Sequence, residues 1–213
     1  DGSSIVKTIE KANDAGIPII TVNRSVAGGK VLRAYSDDVE AGRMQGEYMA
    51  SHLPPNAKIV YLQGDETQRS AVGRWEGFKA ACLDKRPDIQ LLSLVDAGWS
   101  KAEALKTMML WMNMFPEING VVAGNDEMAL GAVAALKGAN RLEGCLVSAV
   151  DATPAGLAAV EAGEMAQTVK QDAKAQGEAA LTLAEGFLKG NPPSGDLAIP
   201  FTSITADNLA QAK

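Results

Sequence analysis

The chain has 213 residues, room for one large or two small domains. Its 26 acidic and 20 basic side chains leave a net charge of −6 with no basic run, which excludes a surface built to track nucleic-acid phosphates. With 46 % hydrophobic and 22 % charged residues the composition is globular, and no apolar stretch approaches the ~20 residues of a bilayer crossing.

Short, almost continuous apolar runs recur at 17–22, 31–35, 59–62, 91–95, 121–123, 145–150 and 166–169. Between them lie segments of helical period at 4–15, 38–53, 68–85, 101–115, 127–139, 154–162 and 173–189. A last strand is expected over 199–204, followed by a short helix from Ala206. Runs that are apolar on both faces suit central strands of a parallel sheet, which helices cover from both sides. Strand then helix, repeated, predicts a doubly wound α/β fold. Gly16-Ile17-Pro18 stops the first helix, and Thr153-Pro154 sets a capping hydroxyl before a proline at the first helical position. The opening Asp1-Gly2-Ser3-Ser4 reads as a helix cap with no strand before it, so the sequence is expected to enter a fold midway, without its N-terminal part.

The scarce residues exclude much chemistry. A single histidine, His52, sits near a helix end, so a serine triad or a His₃ metal site has no material. Cys82 and Cys145 lie too far apart for a zinc motif and read as two separate buried thiols. Neither GxGxxG nor GxxxxGK[ST] occurs. No metal, cofactor or catalytic residue is expected. The one acid pair that could serve an enzyme is Asp65 or Glu66 with Asp151, and acidic loop residues are more often solvated.

Ligands of open α/β sheets bind beyond the carboxyl ends of the strands. Following the apolar runs in order are Asn23-Arg24, Ser36-Asp37-Asp38, Gln63-Gly64-Asp65-Glu66, Asp96-Ala97-Gly98-Trp99, Gly124-Asn125-Asp126, Asp151 and Lys170-Gln171-Asp172, with Ser70 and Arg74 on the helix after Glu66. Amides, carboxylates, a guanidinium and an indole suit a neutral polyol: amides and carboxylates match hydroxyls, arginine forks across two oxygens, and tryptophan covers an apolar ring face. Each residue also has a plainer reading. Asn125 and Asp151 could cap helices, Arg74 could be a surface residue, and Trp99 could be core. Trp75, Trp111 and the methionines at 108, 109, 112 and 114 read as packing.

The run 12–24 (Ala-Asn-Asp-Ala-Gly-Ile-Pro-Ile-Ile-Thr-Val-Asn-Arg), the run 124–132 (Gly-Asn-Asp-Glu-Met-Ala-Leu-Gly-Ala), and Val150-Asp151-Ala152-Thr153-Pro154 with Thr168-Val169-Lys170-Gln171 resemble the ribose- and galactose-type periplasmic sugar-binding proteins across the whole chain. The resemblance implies two doubly wound lobes joined by three crossing strands, near Ser36, Gln171 and Pro200. The N-terminal lobe, incomplete, would take 1–36 plus 172–200, and the C-terminal lobe 37–171 plus 201–213. It implies sugar contacts from Asn23 and Arg24 of the first lobe and from Ser70, Arg74, Trp99, Asn125, Asp151 and Gln171. Asn23 matches the glucose/galactose type, whereas Gln171 is ribose-like. The calcium loop of the former has no counterpart at Pro54–Lys58. The implied role is the periplasmic, monomeric solute-binding component of an ABC sugar importer. It would close on a monosaccharide or cyclitol between its lobes and present it to a membrane permease. With part of the first lobe missing, weak or no affinity is expected. The alternative is the effector domain of a lac-repressor-type transcription factor, which shares this fold.

Overall fold

The computed structural model describes residues 2–212, so Asp1, the first residue of the expected cap, and Lys213 lie outside the described residues. The chain divides into two units. Unit 1 holds residues 2–37 and Asp172–Phe201; unit 2 holds Asp38–Gln171 and residues 202–212.

Unit 1 carries helix α1 (Val6–Asp14), strands β1 (Ile20–Val22) and β2 (Leu32–Tyr35), helix α7 (Ala173–Leu188) and strand β8 (Leu197–Ala198). Its sheet runs β1-β2-β8, all parallel, with Ile20 opposite Leu32 and Ala34 opposite Leu197. Ala34, Leu183 and Ile199 are its buried centre, and Ile20, Leu32 and the alanines of α7 pack around them.

Unit 2 alternates helices and strands: α2 (Asp38–His52), β3 (Lys58–Gln63), α3 (Arg69–Phe78), β4 (Gln90–Asp96), α4 (Lys101–Met114), β5 (Gly120–Ala123), α5 (Asp126–Gly138), β6 (Leu146–Asp151), α6 (Pro154–Glu161), β7 (Gln167–Lys170) and β9 (Thr202–Ile204). The sheet order is β4-β3-β5-β6-β7-β9, parallel except for β9, which runs antiparallel to β7. Alternate residues serve opposite faces. Val60, Leu62, Val121, Ala123, Val147 and Ala149 pack under α4, α5 and α6 with Met108, Trp111 and Met128. Ile59, Tyr61 and Val122 pack under α2 and α3 with Met49 and Phe78. Trp75 meets Tyr61 edge-on at 4.9 Å, as packing. Of the methionines expected to pack, Met109 and Met114 are instead exposed on α4.

Helices α2 and α3 approach to backbone contact through glycines spaced four apart on each: Gly42 and Gly46 of α2 meet Arg74 and Phe78, and Gly73 and Gly77 of α3 meet Asp38 and Val39. A Cβ on Gly42 would lie 1.9 Å from the Arg74 carbonyl oxygen, and one on Gly77 would lie 2.0 Å from that of Val39. This close seam sets Asp38, at the head of α2, against Arg74 of α3.

Four expected elements differ. No side-chain cap opens α1, whose first flanking residue is Ile5. The strand expected from Ile17 starts at Ile20, because Gly16 turns the chain at φ +73° and Pro18 has no N–H to pair. The helix expected over 68–85 loosens into a π-turn at Lys79–Leu83, where the Asp84 N–H reaches back to the Lys79 carbonyl at 3.0 Å. Of the strand expected over 199–204 only Thr202–Ile204 forms, as β9; β8 has already ended at Ala198, and the chain passes from one unit to the other just after Pro200.

Candidate functional site

In unit 2 the carboxyl ends of β3, β5, β6 and β7 and the loop after β4 meet around one buried cation. Arg74, one turn after Ser70 on α3, is only 4 % exposed. Its Nε donates to Asp38 Oδ1 at 2.9 Å, Nη1 to the Gly124 carbonyl at 2.5 Å and Nη2 to Gln171 Oε1 at 3.2 Å. Asp151 Oδ1 lies 3.8 Å from Nη1. A guanidinium stripped of water needs this many partners, and a fixed fork of donors is what results.

Trp99 completes the group. Its indole fills the space left by two glycines: a Cβ on Gly64 would lie 2.2 Å from the ring, and one on Gly124 would lie 3.2 Å away. The Arg74 guanidinium carbon sits 5.5 Å from the ring centroid. Gly98 and Trp99 both take left-handed backbone, φ +57° and +62°, and the loop is pinned by Asp96, which accepts from the Gly98 N–H at 2.7 Å. The indole Nε1 is buried and makes no hydrogen bond.

At the end of β6, Asp151 has φ +128° and Ala152 φ +54°, conformations that L-residues rarely adopt. Burial pushes the Asp151 carboxyl up to about 7, against the pull of Arg74 and helped by the nearby carboxylates of Asp126, Asp38 and Glu127. Gln171 is tied to the same place, its N–H reaching the Asp151 carbonyl at 3.3 Å.

The remaining expected residues behave differently. Asn125 is the N-cap of α5, its side-chain oxygen accepting from the Met128 N–H at 2.9 Å, so its carbonyl is committed to the helix and its amide donor is what it can offer a ligand. Ser70 is half-buried in the first turn of α3. Asn23 and Arg24 belong to unit 1, exposed just past β1, with Asn23 at φ +54°. Asp65 serves its own loop, accepting from the Thr67 N–H and hydroxyl at 2.9 and 2.7 Å. His52 is exposed at the end of α2, stacked on Tyr48 at 4.0 Å, and Cys82 and Cys145 are free, buried thiols.

Two carboxylates that follow apolar runs are not among the expected contacts. Asp126, wholly buried, accepts from the Thr153 N–H at 2.7 Å, the Thr153 hydroxyl at 2.9 Å and the Thr168 hydroxyl at 2.6 Å, which joins α5, the head of α6 and β7. Burial nevertheless raises its pKa. Asp38, the partner of Arg74, passes in sequence for an ordinary acid in the first turn of a helix. Among the described residues no group of three or more His, Cys, Asp or Glu side chains is placed to hold a metal ion, and no helix is long and apolar enough to cross a membrane.

A domain model described as "periplasmic binding protein domain" matches residues 1–192. The chain is 34 % identical over 208 residues to a xylitol-binding protein of Mycolicibacterium smegmatis, across 97 % of this chain and 59 % of that one. It is 33 % identical over 191 residues to the ribose import binding protein of Escherichia coli, across 89 % of this chain and 64 % of that one. It therefore spans about three-fifths of the length of these relatives. Among solved structures, an ABC transporter solute-binding protein from Bacillus halodurans with bound myo-inositol superposes with a TM-score of 0.92 at 33 % identity, over 99 % of this chain and 74 % of that one. The α/β fold with parallel sheets is shared with that structure, and the chain belongs to the periplasmic binding protein domain family.

Proposed function

We propose that this chain works as the sugar- or polyol-binding part of a periplasmic solute-binding protein serving an ABC-type importer. The observation that carries the reading is the Arg74 cluster: one immobilised guanidinium linked to an indole, a carboxyl group of raised pKa and a glutamine, all at the carboxyl ends of parallel strands. Paired donors and acceptors beside an aromatic ring are what vicinal hydroxyls on an apolar ring face require. Relatives named for xylitol and ribose, and a neighbour holding myo-inositol, support an uncharged polyhydroxylated ligand of five or six carbons.

In this reading Arg74, Asp151 and Gln171 bind hydroxyls, Asn125 donates its amide, Ser70 contributes from the same helix and Trp99 covers the ring. Asn23 and Arg24 carry the same task on unit 1. The proposal extends to a two-domain hinge motion on ligand binding and to hand-over of the ligand to a membrane permease.

Titration of the ¹⁵N-labelled chain with pentoses, hexoses, pentitols and inositols, up to tens of millimolar, tests it. Saturable shifts of the Trp99 indole N–H are expected with at least one of them. Trp99→Ala and Asp151→Ala should each weaken that binding about tenfold or more. Trp111→Ala, in the core, should lower stability and leave affinity alone. Unchanged affinity in both site variants, or no response to any of the compounds, overturns the reading.

A further inference from the structure

Every nitrogen of the Arg74 guanidinium already has a nearer partner than Asp151. Asp38 takes Nε at 2.9 Å, the Gly124 carbonyl takes Nη1 at 2.5 Å and Gln171 takes Nη2 at 3.2 Å, which leaves the Asp151 carboxyl at 3.8 Å. Asp38 is therefore the nearest anion to the cation, and it holds it from the head of α2. Its position is built in: the glycine seam between α2 and α3 brings Gly73 within 3.2 Å of the Asp38 Cβ, measured from where a Cβ on that glycine would stand.

We infer that Asp38 is the positioning residue of this site: it fixes the Arg74 fork for the ligand and, by neutralising that fork itself, keeps Asp151 short of a close ionic partner, so that ligand capture strengthens as pH rises through neutrality. The inference rests on the polyol-binding reading above. The groups facing Asp151 are Arg74 from α3, Asp38 from α2, Asp126 and Glu127 from α5, and Lys170, its register partner on β7. Burial is the main reason the carboxyl stays protonated up to about pH 7, and the three acids among the five, Asp126, Asp38 and Glu127, add to it. Hydroxyl groups of a ligand donate to the ionised carboxylate and favour it, so binding releases the proton and is easier where the proton is already gone.

Asp38→Asn leaves an oxygen to accept from Arg74 Nε but removes the negative charge that neutralises the guanidinium, which is also a like charge beside Asp151. In the ligand-free protein, a ¹³C NMR titration of the Asp151 carboxyl between pH 4 and 9 should give a midpoint near 7 in the wild type and one lower by about a unit or more in Asp38→Asn. In parallel, the affinity of the best polyol from the titration panel should rise about tenfold from pH 5.5 to 8 in the wild type and stay nearly flat above pH 6 in the variant. An unmoved Asp151 midpoint, or an affinity reduced by one common factor at every pH, overturns the inference and leaves Asp38 a structural ion pair. If no polyol binds the wild type at any pH, the functional reading falls, while the ligand-free titration still decides the role of Asp38. Should Asp38→Asn fail to fold, Asp38→Ser, which keeps a small hydrogen-bonding oxygen in the first turn of α2 without the charge, is expected to give the same shift.

Discussion

Trp99, Asp151 and Ala152 hold positive φ at the strand ends of unit 2, at +62°, +128° and +54°. Each such residue costs on the order of 1–3 kcal/mol and persists only where its surroundings enforce it. Asp151 adds a second cost, a carboxyl group held in a place that disfavours its ionisation. The pH dependence follows from its folded pKa of about 7 lying above the unfolded value near 4. Between those values the folded state holds more protons, so stability falls as pH rises from 4 to 7 and the loss is complete above 7. Asp151→Asn escapes this loss. Without ligand it should match the wild type in thermal melts at pH 4 and exceed it by about 1–2 kcal/mol at pH 8, a figure discounted for the 29 % exposure of the side chain. An equal difference at both pH values would show that backbone geometry, not charge, sets the effect. Trp99, Asp151 and Gln171 were legible in the sequence as polar residues just past apolar runs, where strand ends collect ligand contacts, and Arg74 as the cation on the helix that follows one of them. The roles of Asp38 and Asp126, which also follow apolar runs, were not. An acid in the first turn of a helix already has a sufficient local explanation in the helix dipole, and only the fold reveals the second partner.

At the scale of elements, the central strands were readable because helices cover both their faces and the residues are apolar throughout. Their ends were harder, since Pro18, Pro200 and the π-turn at Lys79–Leu83 act through hydrogen bonds that periodicity does not register. The α2–α3 seam was wholly hidden, because glycine has no hydropathy signal to reveal a close approach. It gives a prediction whose sign is diagnostic. Alanine normally stabilises a helix by about 1 kcal/mol over glycine, and Gly177 in α7, with open space around it, should show a gain of that order on Gly177→Ala. Gly42→Ala and Gly77→Ala meet backbone oxygens at 1.9 and 2.0 Å and should instead lose about 1–3 kcal/mol in urea denaturation. Stabilisation by either would mean that the two helices separate freely.

Taken as a whole molecule, the two units are unequal in what they bury. Unit 2 has apolar layers on both faces of a six-stranded sheet, whereas the three-stranded sheet of unit 1 centres on Ala34, Leu183 and Ile199. A small core leaves little net stability once chain entropy is counted. Urea should therefore unfold the protein in two steps, unit 1 first. Cys82 and Cys145 both belong to unit 2, buried, with thiols pushed up to about 11 and about 12 by desolvation, so neither should react with a thiol reagent until the second step. Labelling of either during the first step would refute the order.

Asp38 and Gln171 are the residues at which the long segment of unit 2 begins and ends, and both bond to the same Arg74 side chain. The strands of unit 1 must find one another across a wide gap in sequence: the bond from Arg33 to Asp196 spans 163 positions. Closing such a loop from a disordered chain is entropically slow. Once that arginine has joined the two stems, the gap collapses to the short arms beyond them. The same clasp is therefore expected to act as a kinetic shortcut: apart from β9 the larger body lies within one continuous stretch, and its formation shortens the loop that the smaller one has to close.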